Sequence, residues 1–157
     1  MEKIIKKYAN QYGIPTGLIR AIIKVESSGN NFAMRYENHY KWLVKPLNKF
    51  HWHKETEEKA QKTSWGLMQI MGAVARERGF EGRYLSELTK PELGIKFGCK
   101  HLKWNYNRYD DWSDAISAFN QGSNRKDGQG EYQNQSYVNK VLKNWKSEML
   151  NYVCNYY

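Results

Sequence analysis

The chain has 157 residues, 40% of them hydrophobic, which suits one compact domain with a real core, and a second domain is not expected. The 25 Lys and Arg against 16 Asp and Glu leave a formal charge of +9, so the surface should attract polyanions such as nucleic acid, anionic lipid or an acidic cell wall, and charge alone does not choose among them. No segment approaches membrane-spanning length, and Met1 to Ala9 alternates charged with apolar residues rather than building a signal-peptide core, which predicts synthesis in the cytoplasm. Aromatic residues make up 15% of the chain, with 6 Trp and 12 Tyr, more than a core of this size needs. Some are expected at a surface, where flat rings suit sugar faces and single-stranded bases alike.

In chain order, Glu2 to Gln11 reads as an amphipathic helix ended at Gly13, and Pro15 to Ser27 as a second, with Leu18, Ile19, Ile22, Ile23 and Val25 apolar up to a Ser-Ser-Gly stop. Met34 to Thr63 mixes Tyr36, Tyr40, Trp42, Phe50 and Trp52 with many charges, and Lys54 to Lys62 within it reads as a solvated helix. Gly72 to Arg78 is a short helix closed by Gly79. Pro91 opens a longer one, in which Ile95, Cys99, Leu102 and Tyr106 repeat at helical spacing, so it should be a central core element. Asp111 or Ser113 can cap the next, which carries Trp112, Ala115, Ile116, Ala118 and Phe119. Asn120 to Gln135 is rich in Gly, Asn, Gln and Ser and reads as a polar loop, ordered or mobile, before a last helix from about Ser136 to Tyr152. Apart from the solvated segment that makes about six helices. Without repeats or linkers, residues 1–157 are expected to form a single domain with an atypical stretch at about 34–63.

Cys99 and Cys154 are the only cysteines. Cys99 lies on an apolar stripe and reads better as a small buried hydrophobe than as half of a disulfide. His39, His51 and His53 invite a metal reading, since His-x-His suits two ligands on a strand face, but no third ligand has a matching spacing and none is expected to bind.

Glu26 is the candidate of most interest. Counting back three, four and seven residues reaches Ile23, Ile22 and Ile19, so its carboxylate shares their face of the helix and not that of Arg20 and Lys24. Partial desolvation and the negative end of the helix dipole would both disfavour the charged form, and a proton retained near neutral pH is what a general acid needs to protonate a glycosidic oxygen. A Glu that folds back to solvent or pairs with a Lys is the other reading, and both stand at this point.

Glu26-Ser27 ending a helix, Gly66-Leu67-Met68-Gln69-Ile70, Ala118-Phe119-Asn120-Gln121-Gly122 and Tyr137 near the start of the last helix, in that order, resemble the soluble-lytic-transglycosylase catalytic domain over about Ile14 to Trp145. The resemblance implies a mainly α, goose-type-lysozyme-like fold with a central helix, a peptidoglycan-binding cleft and at most a small β element. It also implies a single glutamate, Glu26, acting first as acid and then as base. That glutamate would protonate the oxygen between N-acetylmuramic acid and N-acetylglucosamine, then take the proton from the muramic C6 hydroxyl as it attacks C1, leaving a 1,6-anhydro end. No second carboxylate is required, which fits a chain whose Glu37, Glu55, Asp110, Asp111 and Asp114 sit in no motif that would place one across the bond.

By the same resemblance Ser27 hydrogen-bonds near the glutamate, although a plain helix-terminal serine would look the same. Met68 and Gln69 line the cleft, Gln69 offering its amide to a sugar acetamido group. Without the motif Met68 would read as core. Asn120 contacts substrate near the acid, Phe119 stands where the family has tyrosine and keeps only the stacking, and Tyr137 directs its hydroxyl towards the glutamate or simply packs. No cofactor is implied. The expected partner is the glycan strand of an anionic cell wall. The chain departs from the family in its longer 34–63 stretch, which could extend the cleft wall, contact peptide stems or dock onto an assembly. A bacteriophage enzyme released by a holin or carried in a virion would explain the missing export signal and wall-binding module, and so would non-classical export. Two further readings stay open: a hydrolytic lysozyme on the same fold, in which Glu26 activates a water, and a basic nucleic-acid-binding protein, which the scattered charges favour least.

Overall fold

A computed structural model of the chain describes residues 1–49 and 53–154, with side chains described through Leu150. It is mainly α, with a small sheet. The helices are α1 (Glu2–Tyr12), α2 (Thr16–Ser27), α3 (Lys54–Gln61), α4 (Gly72–Glu77), α5 (Pro91–Tyr109), α6 (Trp112–Gln121) and α7 (Gln135–Cys154). Strands β1 (Met34–Tyr36), β2 (Thr63–Trp65) and β3 (Ile70–Met71) form one antiparallel sheet in the order β1-β2-β3. Its register pairs Arg35 with Ser64 and Trp65 with Ile70.

The punctuation residues act as their chemistry requires. Gly13 and Gly79 follow α1 and α4 with φ of 61° and 87°, values that cost glycine little. Asp111 caps α6, accepting the backbone N–H of Asp114 at 2.9 Å, and Gly122 closes the same helix with φ 82°. Pro15 lies just ahead of α2, where its carbonyl accepts from the N–H groups of Leu18 and Ile19.

The chain divides into two compact units. Apart from Met1, the first holds Glu26–Gly98, and the second holds Glu2–Val25 with Cys99–Tyr157. In the first, Trp65, Ile70, Ala75, Phe80, Leu85, Leu88 and Phe97 form a hydrophobic core, with the rings of Phe80 and Phe97 edge to face at 5.2 Å. In the second, the buried residues come from every helix: Ile5 and Tyr8 from α1, Leu18, Ile19 and Ile22 from α2, Cys99 and Leu102 from α5, Ile116 and Phe119 from α6, and Val138 and Val141 from α7. Cys99 carries a free thiol that burial pushes up to about 12, so it is a small hydrophobe here and not a nucleophile. The side chain of Cys154 lies outside the described residues.

One expectation needs correction. Helix α3 is solvated only on part of its surface, because Glu57 and Gln61 are buried. The Glu57 carboxylate accepts from Arg76 Nε at 2.8 Å and from Arg76 Nη2 at 3.0 Å, and both side chains are almost fully buried. The Arg76 guanidinium also donates to the carbonyls of Phe80 and Gly82. Gln61 in turn donates to Glu57 and exchanges two hydrogen bonds with the main chain of Val44. These bonds fasten the front of the 34–63 stretch and α4 to α3. No helix among the described residues is long and apolar enough to cross a membrane.

Candidate functional site

Glu26 is the penultimate residue of α2 and is half-buried. The helix stops because Ser28 and Gly29 take φ of 52° and 84°, turning the chain toward β1, and the Ser27 carbonyl accepts the N–H of Asn30 at 3.0 Å. Ser27, beside the acid, donates its hydroxyl to the Leu67 carbonyl at 2.8 Å. A residue next to Glu26 is thereby tied to the hairpin that joins β2 to β3.

That hairpin is Gly66-Leu67-Met68-Gln69. Its geometry explains its sequence. Gly66 has φ 70°, and a Cβ there would run into the Leu88 carbonyl, so only glycine fits. Its N–H donates to the Ala33 carbonyl at 2.8 Å. Leu67 and Met68 are completely buried, and Met68 lies against Gly98 of α5, where an added Cβ would come within 2.5 Å of its sulfur. Met68 therefore holds the hairpin from within the unit and presents no surface to a ligand.

Gln69 is half-buried and takes φ 45°, an uncommon conformation for a side-chain-bearing residue. Its Nε2 donates to the carbonyls of Ala33 and Gly66, both at 3.0 Å. Two carbonyls can only accept, so they fix which end of the amide is NH2. The Oε1 has no protein donor among the described residues. Gln69 is thus an oriented acceptor, suited to an N–H such as that of an acetamido group.

In the second unit, Phe119 is buried, its ring 5.4 Å from that of His101, which is itself stacked on Trp104. Asn120 follows it on α6 and is exposed. Its Oδ1 accepts from Asn134 Nδ2 at 3.0 Å. Tyr137 lies in the first turn of α7, half-buried, its N–H donating to the Asn134 carbonyl at 2.9 Å. Asn134 was absent from the sequence-based candidates, because it falls in a stretch whose composition signals only a loop.

The loop before α7 is ordered by side chains. Tyr132 donates its hydroxyl to Asp114 at 2.5 Å, and Lys126 lies 3.1 Å from the same carboxylate. Asp127 accepts the N–H groups of Gln129 and Glu131, and Lys126 pairs with Tyr132 as an isolated bridge. Burial and the hydrogen bond to Asp114 push the Tyr132 phenol up to about 12. Burial would raise Asp114, yet hydrogen bonds from Tyr132, Lys126 and Asn124 hold its carboxyl below the usual range.

The other candidate carboxylates have evident roles or open positions. Glu37 pairs with Arg35, Asp111 is a helix cap and Asp114 belongs to the loop cluster, while Glu55 and Asp110 are exposed. His39 and His53 are exposed, and His51 lies outside the described residues. Tyr36 and Trp42 are 49% and 71% exposed, so the 34–63 stretch does carry surface rings, and Phe32 just before it is 72% exposed. Residues 3–142 match the family model of the Transglycosylase SLT domain.

Proposed function

The chain belongs to the transglycosylase SLT family, whose substrate is peptidoglycan and whose fold is lysozyme-like, and from that membership we propose that Glu26 is its single acid and base. The observation that carries the proposal is the helix end itself: a half-buried carboxylate whose neighbour Ser27 is hydrogen-bonded to the Gly66–Gln69 hairpin. Glu26 gives its proton to the oxygen linking N-acetylmuramic acid to N-acetylglucosamine as the C1–O bond breaks. The C6 hydroxyl of the same muramic residue then bonds to C1 and returns its proton to Glu26. The acid is restored, no water is consumed, and the product carries a 1,6-anhydro end.

A paired-carboxylate mechanism would need a second acid across the bond, and three of the five other candidates are engaged as a cap, an ion pair and a loop anchor. Gln69 contributes its outward Oε1 as an acceptor for substrate N–H. Asn120, as the family motif implies, contributes a hydrogen bond to substrate. The exposed Phe32, Tyr36 and Trp42 offer faces on which sugar rings stack.

Digestion of purified sacculi, with the fragments weighed, tests this. The wild type should release muropeptide ends one water lighter than hydrolysed ends, and Glu26→Gln should release none while still binding sacculi. Hydrolysed reducing ends would instead make the protein a muramidase on the same fold. Full lysis by Glu26→Gln would remove Glu26 from the chemistry.

A further inference from the structure

The side chain of Asn120 is not left to choose its own orientation. Gln121 Nε2 donates to the Ser123 carbonyl at 3.0 Å and to Ser117 Oγ at 3.2 Å. Ser117, fully buried, donates its hydroxyl to Asn134 Oδ1 at 2.8 Å, its 3.4 Å approach to the Ser123 carbonyl being the longer alternative. Asn134 Nδ2 donates to the Ser117 carbonyl at 3.1 Å and to Asn120 Oδ1 at 3.0 Å.

Each amide in this chain of bonds is pinned by a group that can act in one way only. The Ser123 carbonyl fixes the NH2 end of Gln121, and the Ser117 carbonyl fixes the NH2 end of Asn134. Asn134 therefore meets Asn120 with a donor. A reversed Asn120 would set two NH2 groups against each other, so its oxygen stays inward. The Nδ2 of Asn120, on an exposed residue, is left without a protein acceptor among the described residues.

We propose that Asn134 is a positioning residue that fixes Asn120 as a hydrogen-bond donor, and that the group it receives is a neutral acceptor oxygen of the glycan, of the kind an acetamido carbonyl supplies. The inference rests on the reading of Asn120 as a substrate contact. It adds the polarity of that contact and the residue that sets it. Gln69, held by two main-chain carbonyls, is the matching case of an amide fixed as acceptor.

The test uses the full chain and soluble, uncrosslinked glycan strands, with kcat and KM measured for Asn120→Ala, Asn120→Asp, Asn134→Asp and the Asn120→Ala/Asn134→Asp pair, and a melting curve for each. Asn134→Asp removes the donor, so Asn120 turns its NH2 inward and shows the glycan an oxygen. Loss of one neutral hydrogen bond predicts about a tenfold fall in kcat/KM, carried mainly by KM. The double variant should be no worse than Asn120→Ala alone, because Asn134 acts through Asn120. Asn120→Asp still accepts from Asn134 but faces outward with an acceptor. It should lose as much activity with a wild-type melting curve, and it decides the matter if Asn134→Asp does not fold. Wild-type kcat/KM in Asn120→Asp, or in folded Asn134→Asp, would overturn the assigned polarity. Unchanged kinetics in Asn120→Ala would show that Asn120 does not touch the glycan at all, which is failure of the underlying reading and not of the orientation.

Discussion

Tyr132 keeps its proton because it is partly buried and its hydroxyl is bonded to Asp114, beside which ionisation would place a second negative charge. Its folded value of about 12 lies above the usual value of about 10, so its contribution to stability is complete below about pH 10 and is lost as pH rises through about 12. Asp114 works in the other direction. Its value is lowered on folding, so its contribution is present above about pH 4 and is lost as pH falls through the lowered value. The loop that carries Asn134 should therefore be best held between these limits. Absorbance titration of the phenolate in wild type minus Tyr132→Phe should place this one tyrosine near 12. A difference titration centred on 10 would show that the pair does not form in solution.

At the level of elements, the buried pair between α3 and α4 makes the sharpest claim. Arg76→Met leaves the Glu57 carboxylate buried without its cation and should cost about 3–5 kcal/mol by urea unfolding, whereas Glu57→Gln/Arg76→Met together should cost much less. Equal costs would mean that the loss comes from packing around Arg76. Nothing in the sequence announces this pair, because a Glu and a Gln four residues apart on a charged helix look the same whether they face water or Arg76. The sheet was equally hard to read. Strands of three, three and two residues are too short for alternation to show, and β1 is exposed along its whole length. By contrast the long helices were legible with nearly their true ends, since Gly13, Pro91 and Asp111 perform the stops and starts that their backbone chemistry favours, while the Gly122 stop of α6 emerged only from the structure. Of the site, Glu26, Ser27 and the hairpin were visible as motifs. What they could not reveal was direction: that Met68 points into the core, that Gln69 shows its oxygen, and that Asn120 is governed by a residue fourteen positions later.

For the whole molecule, the formal charge of +9 should govern how the enzyme collects on the wall more than how it cleaves it. Raising salt from about 0.05 M to about 0.5 M shortens the screening length from roughly 14 Å to roughly 4 Å, so the fraction that sediments with sacculi should fall several-fold while circular dichroism stays constant. Retention that ignores salt would assign wall affinity to the exposed rings Phe32, Tyr36 and Trp42 instead.

The hydroxyl of Ser27 reaches a peptide oxygen, and every amino acid supplies one. The instruction that ties the Glu26-bearing helix end to the hairpin is consequently written at position 27, and not at its destination. A change at Leu67 is judged by the interior it must fill. Threonine in place of Ser27 could still deliver the message, and alanine would erase it without disturbing a single neighbour's shape.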